Sequence, residues 1–135
     1  MSTFNNSVKL GQALLDVACQ FQLSNFKRGN VQNIHTDEED AKREGLPAPV
    51  ATGPQVAALI FRQLRSAFGK GWVVGGKFAL NFCRPVYVRD FCVTRGKVTG
   101  TEKEGDKLRV ICDVWIQNQN GEKVIAGVAS GLVDA

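Results

Sequence analysis

The chain has 135 residues, 44% of them hydrophobic and 22% charged, with a net charge of +4. This is the size and make-up of one soluble domain, residues 1–135, able to bury a core without disulfide or metal staples. No apolar run approaches the ~18–20 residues of a membrane span, which excludes a membrane partner. The opening stretch lacks the basic flank and unbroken apolar run of a secretory signal, so a cytoplasmic protein is expected.

In chain order, Asp16 to Phe26 carries Val17, Ala18 and Phe21 at helical spacing, with Asp16 able to cap, and predicts a short helix. A turn-rich stretch follows, in which Thr36 is placed to cap a brief exposed helix over the acidic run and Gly45 to stop it. The clearest helix comes next. Pro54 sits just inside its start, Val56, Leu59, Ile60, Leu64 and Phe68 form one apolar stripe with Gln63 and Arg65 off it, and Gly69 ends it. Ala57, Ala58 and Phe61 widen that stripe beyond what a surface helix needs, so this helix should be the core.

Beyond Gly69 the period changes to that of strands: Trp72–Phe82, Pro85–Gly100, Lys107–Gln119 and Lys123–Val133 are rich in β-branched and aromatic residues. They are separated by the turn-forming stretches 100–106 and 118–122, and Asn120-Gly121 makes the last two an antiparallel hairpin. One long helix followed by four antiparallel strands predicts an α+β fold, a strongly curved antiparallel sheet wrapped around a long central helix.

Charge placement adds a partner class. From Gly45 to Arg89 there is no Asp or Glu, while Arg62, Arg65, Lys70, Lys77, Arg84 and Arg89 are basic, which points to an anionic partner. Interleaved aromatics and recognition motifs are missing, so nucleic acid is not expected; a small phosphorylated group fits. Cys19, Cys83, Cys92 and Cys112 lack C-x-x-C spacing and read as small apolar residues, and one histidine with unpaired cysteines gives too few ligands for a metal.

That histidine closes the run Gly29-Asn30-Val31-Gln32-Asn33-Ile34-His35, and Ala41 follows after five residues. The spacing resembles the signature of the MaoC-like, or (R)-specific enoyl-CoA hydratase, family: Gly-Asp-any-Asn-Pro-Ile/Leu-His, five residues, then Ala or Ser. Asn30, Gln32 and Asn33 stand where that pattern has Asp, Asn and Pro. Three further landmarks agree: Val50-Ala51-Thr52-Gly53 leading into the central helix, Phe82-Cys83-Arg84-Pro85-Val86-Tyr87-Val88-Arg89-Asp90 with Arg89 where the family has Gly, and the ending from Gln117 to Ala129.

The resemblance implies a hot-dog fold and a hydratase or dehydratase acting on acyl-CoA thioesters. In that family an Asp and a His hold one water, direct it at the β-carbon of an enoyl thioester and pass a proton to the α-carbon, while a backbone N–H at the helix start receives the developing oxyanion. By position these roles fall to His35, to Asn30 in place of the Asp, and to Gly53. An amide can orient water but cannot take its proton. The departure therefore leaves a second reading, a non-catalytic or half-active acyl-CoA-binding subunit of a heteromer. A hot-dog thioesterase is less favoured, because such enzymes place an acid on the central helix and residues 54–68 contain none.

No separate cofactor is implied, since CoA travels on the substrate. Val56, Ile60, Phe78 and Trp115 are expected to line an acyl tunnel, Trp72 to join the core, and Lys70, Lys77, Arg84 and Arg89 to meet the nucleotide phosphates. A homodimer joined edge to edge, or a heteromer with a related subunit, is the implied assembly.

Overall fold

The computed structural model describes Phe4 and residues 8–22 and 33–135. Five strands form one antiparallel sheet in the order β1-β3-β4-β5-β2: β1 (Ala18–Gln20), β2 (Lys77–Phe82), β3 (Phe91–Glu104), β4 (Lys107–Gln117) and β5 (Lys123–Asp134). Among the described residues three helices accompany them, α1 (Glu38–Arg43), α2 (Gly53–Phe68) and α3 (Lys70–Gly75). The long strands alternate as a half-buried sheet must: along β4, Val110, Cys112, Val114 and Ile116 are all but sealed from solvent, while the residues between them are partly open. Register slips at Val98/Gly100 and at Ile116/Gln117 bend the ribbon.

The helix that the apolar stripe predicts is α2, and it forms the core. Ile60 and Leu64 are fully buried between it and the sheet, worth ~1.5–3 kcal/mol each in apolar burial. Its start is fixed by a capping box: the Thr52 hydroxyl accepts the Gln55 N–H and the Gln55 side chain accepts the Thr52 N–H. Pro54 at the first turn removes a donor that has no acceptor there.

Several expectations are corrected. Asp16–Gln22 is not helical; β1 pairs with β3, because Val17, Cys19 and Phe21 alternate toward the interior at period two, and residues 23–26 lie outside the described residues. The cap of α1 is Asp37, whose carboxylate accepts the Glu39 and Asp40 N–H groups, while Thr36 is buried at 3% exposure. Residues 70–75, β-rich in composition, form α3 instead of the start of a strand, leaving β2 to begin at Lys77. Pro85–Asp90 is a connection ending in a turn, with β3 starting at Phe91. The β3–β4 hairpin turns on Gly105-Asp106 alone, with Gly105 at φ +62°.

Gln63 is the largest departure. It lies three and seven residues beyond Ile60 and Val56, so it belongs to the buried stripe, and it is 0% exposed. Trp115 is the other. It sits between inward-facing Val114 and Ile116 and therefore points away from α2, with Lys123 5.0 Å over its ring, so it does not line a tunnel along the helix.

Candidate active site at the start of the central helix

The turn that carries His35 is organised by Asn33. Its side-chain oxygen accepts the His35 N–H at 2.8 Å, its carbonyl accepts the N–H groups of Thr36 and Asp37, and its own N–H reaches the Thr36 hydroxyl at 3.0 Å. The turn is then pinned to the segment before α2. Val50 N–H donates to the Ile34 carbonyl at 3.1 Å, and the His35 ring Nδ1 lies 2.9 Å from the Val50 carbonyl. A carbonyl oxygen can only accept, so this contact assigns a proton to Nδ1, and in the neutral ring Nε2 is then the lone-pair acceptor. Ala41, which follows the motif after five residues, is the buried residue of α1, 0% exposed.

Three residues past Val50 the chain enters α2. Val50 bridges Tyr87, and Ala51 N–H donates to the Val86 carbonyl at 2.8 Å, so the approach is held on its other side by residues 86–88. Gly53 is the first helical residue, and its N–H precedes the intrahelical ladder. The first turn of α2 holds no acidic residue, so the positive end of the helix dipole there is unopposed from within the helix. Glycine is not needed for φ here. A Cβ on Gly53 would lie 3.3 Å from the Phe82 ring.

A pocket of about 240 Å³ opens at this helix start, lined by Gly53, Val56, Phe82, Arg84, Val86 and Ile125 among others. Its wall is mostly apolar, with one cation. Arg84 is ion-paired with Glu122 at 3.2 Å and more than half exposed. Hydrogen bonding from Asn118, then the Arg84 charge, holds the Glu122 carboxyl below its ordinary range.

The residues of this corner come from the runs 33–41, 50–53 and 82–90, and the sequence pattern of the MaoC-like domain matches residues 5–119. The chain belongs to the MaoC-like domain family, a family of hydratases and dehydratases. A MaoC-like dehydratase from Rhodospirillum rubrum is similar in fold, with TM-score 0.78 and 22% identity over 98% of this chain and 97% of that one. So is the (R)-hydratase from A. caviae involved in PHA biosynthesis, at TM-score 0.73 and 21% identity over 94% and 98%. The ChsH1–ChsH2 complex from Mycobacterium tuberculosis matches at TM-score 0.74 and 16% identity over 96% and 100%. The shared architecture is the hot-dog fold. No curated protein matches the chain.

Within this MaoC-like domain the predicted site residues divide by place. Gly53, Val56 and Arg84 line the pocket at the start of α2; His35 is not among its lining residues but is tied to Val50, three residues before Gly53, and Arg89 lies beside α1, 3.5 Å from Glu38. Asn30 lies outside the described residues. Ile60 is sealed in the core one turn further along α2. Lys70 opens α3 beyond the far end of α2, and Lys77 begins β2 at the end opposite Phe82, so neither joins the pocket. Phe78 packs 5.0 Å from Phe61 and 6.2 Å from Trp72, an aromatic group flanking the core.

Phe82, Val86 and Ile125 were not foreseen as lining residues. The signal for the first two was the phrase that contains them; for Ile125 it was only the inward parity of β5. All four cysteines are free thiols, and burial pushes Cys92 and Cys112 up to about 12 from the usual 9.0, which keeps both protonated and inert. Among the described residues no helix is long and apolar enough to cross a membrane, and no group of three or more His, Cys, Asp or Glu could hold a metal ion.

Proposed function

We propose that this protein interconverts a trans-2-enoyl-CoA thioester and its 3-hydroxyacyl counterpart. The observation that carries the proposal is the contact of His35 Nδ1 with the Val50 carbonyl at 2.9 Å, which leaves Nε2 of the neutral ring free as a base and ties His35 to the short segment that ends in the Gly53 N–H. His35 Nε2 takes a proton from water as the water oxygen bonds to the β-carbon. The π electrons of the alkene move to the thioester, giving an enolate whose oxygen accepts the Gly53 N–H. The imidazolium then returns a proton to the α-carbon, and dehydration is the same path reversed. Asn30 orients the water by hydrogen bonding, without accepting its proton. Arg84, with Arg89 further out, receives the CoA phosphates.

The protein works as a dimer at least. β2 is a sheet edge, and Phe78 and Phe82 on it are 55% and 59% exposed, an apolar edge that a second subunit would cover. Sedimentation showing a stable monomer at micromolar concentration would contradict this. One observation favours a second reading: the amide Asn30 where the family pattern has a carboxylate suits a subunit whose partner completes the water-activating pair.

The test is a chain-length series of trans-2-enoyl-CoA substrates, followed at the absorbance of the conjugated thioester with mass spectrometry of products. Hydrated thioester is the expected product. Free acid would indicate thioester hydrolysis instead, and CoA-thioester binding without turnover would favour the partner-subunit reading.

A further inference from the structure

Gln63 is fully buried, and neither its Nε2 nor its Oε1 has a hydrogen-bond partner. An unbonded carboxamide in an apolar core is costly, and proteins retain one only where something repays it. The neighbouring backbone does not: Gly96 is held in the β3–β4 ladder opposite Val114 with its carbonyl accepting the Leu14 N–H at 3.0 Å, and the Asp113 carbonyl that borders the same space makes no hydrogen bond to the amide. Space is nevertheless kept for the amide. A Cβ on Gly96 would lie 3.1 Å from Gln63 Nε2 and 2.9 Å from a Leu14 methyl, so glycine at this strand position leaves the room in which the amide sits.

The amide also shares a flank of α2 with the pocket, whose lining on this helix ends at Val56, with Leu59 and Ile60 closed over the interval. Val56, which lines the pocket, is followed on the same flank of α2 by Leu59 and then Gln63, seven residues on and about 10 Å along the axis. Long helical side chains lean toward the helix N-terminus, which brings the Gln63 amide nearer to Gly53 than its backbone is. A tail entering with its thioester carbonyl at the Gly53 N–H and running along this flank would reach the amide once Leu59 and Ile60 change rotamer.

We propose that Gln63 recognises a hydroxyl on the distal part of a medium-length acyl chain, the Nε2 donating to its oxygen and the Oε1 accepting its proton. A hydroxyl satisfies both ends of the amide, whereas a plain alkyl tail leaves both unbonded. This rests on the hydratase reading for where the thioester sits. It adds that the preferred substrates are hydroxylated acyl-CoA thioesters and that Gln63 is the specificity-determining residue.

The test compares matched medium-chain trans-2-enoyl-CoAs with and without a terminal hydroxyl, on the wild type and on Gln63→Leu. The wild type should favour the hydroxylated substrate by about tenfold or more in kcat/KM, mainly through KM. Gln63→Leu should lose that preference while keeping or raising turnover of the alkyl substrate and melting no lower than wild type. Gln63→Met serves as the second apolar variant should leucine fit poorly. Equal loss on both substrates, or no preference in the wild type, would overturn the proposal even if hydration is observed. Calorimetry with the saturated hydroxyacyl-CoA and its alkyl analogue applies the same comparison to binding. Failure of the hydratase reading, absent turnover, therefore stays distinguishable from failure of this one, absent discrimination.

Discussion

Gly53→Ala separates the access that glycine provides from everything else the helix start does. The added Cβ would stand 3.3 and 3.4 Å from two atoms of the Phe82 ring, a tight contact, but that ring is 59% exposed and can yield by a few tenths of an ångström. Alanine also prefers helix to glycine, so stability should stay within about 1 kcal/mol of wild type. Activity should not. The methyl group would stand beside the N–H proposed to receive the enolate oxygen. Losing an oxyanion donor costs ~10²–10³-fold and a small misplacement of reacting groups up to ~10², so a fall of about 10–100-fold in kcat/KM is expected. Initial rates on a trans-2-enoyl-CoA, beside a melting curve, measure both. Adding Phe82→Ala relieves the crowding but not the blocked approach, so the double variant should remain slow. Wild-type kcat/KM in Gly53→Ala would refute the placement of the thioester oxygen at this N–H.

Asn30→Asp should restore a second proton acceptor beside the water and raise turnover about tenfold or more, within the ~10²–10⁴ range of a positioned base; steady-state rates check it, and a fall would mean that the amide donor is needed by the substrate. Arg89 has φ +79° at the third position of the turn Tyr87–Asp90, where the family phrase has glycine. Arg89→Gly and Arg89→Ala both lose the Glu38 contact, so in denaturant unfolding the glycine variant should be the more stable by about 1 kcal/mol, and equal stability would contradict backbone strain at this turn.

The parts of this protein that were legible in advance are those whose local chemistry and tertiary role agree. The stripe of α2, its Pro54 and Gly69 limits, and the Asn120-Gly121 turn each follow from period and turn residues, and the packed molecule uses them as written. The misreadings come from segments short enough to satisfy two periods. Ala18–Gln20 offers both a helical and an alternating pattern, and pairing with β3 decides for the second. Trp72, Val73 and Val74 favour strand, yet they form the turn of helix that carries the chain from α2 back to the sheet, with Gly71 close against the Leu132 carbonyl. Gln63 reads as lying off the stripe because it is polar, although seven residues from Val56 is a core position whatever the side chain. For the candidate site, spacing marks the His35 and Gly53 turns in the sequence, and the structure joins their two segments through Val50. The pocket wall was not legible, because Phe82, Val86 and Ile125 meet only when β2 and β5 pair.

The most direct measurement is the hydration rate of a trans-2-enoyl-CoA by wild type and by His35→Ala, with product mass recorded in the same reaction. The account predicts hydrated thioester from the wild type and a rate lower by about 10²-fold or more in the variant, whose melting should be little changed because the half-buried ring contributes one hydrogen bond, to Val50. A variant that hydrates as fast as the wild type would contradict the assignment of His35 as the base.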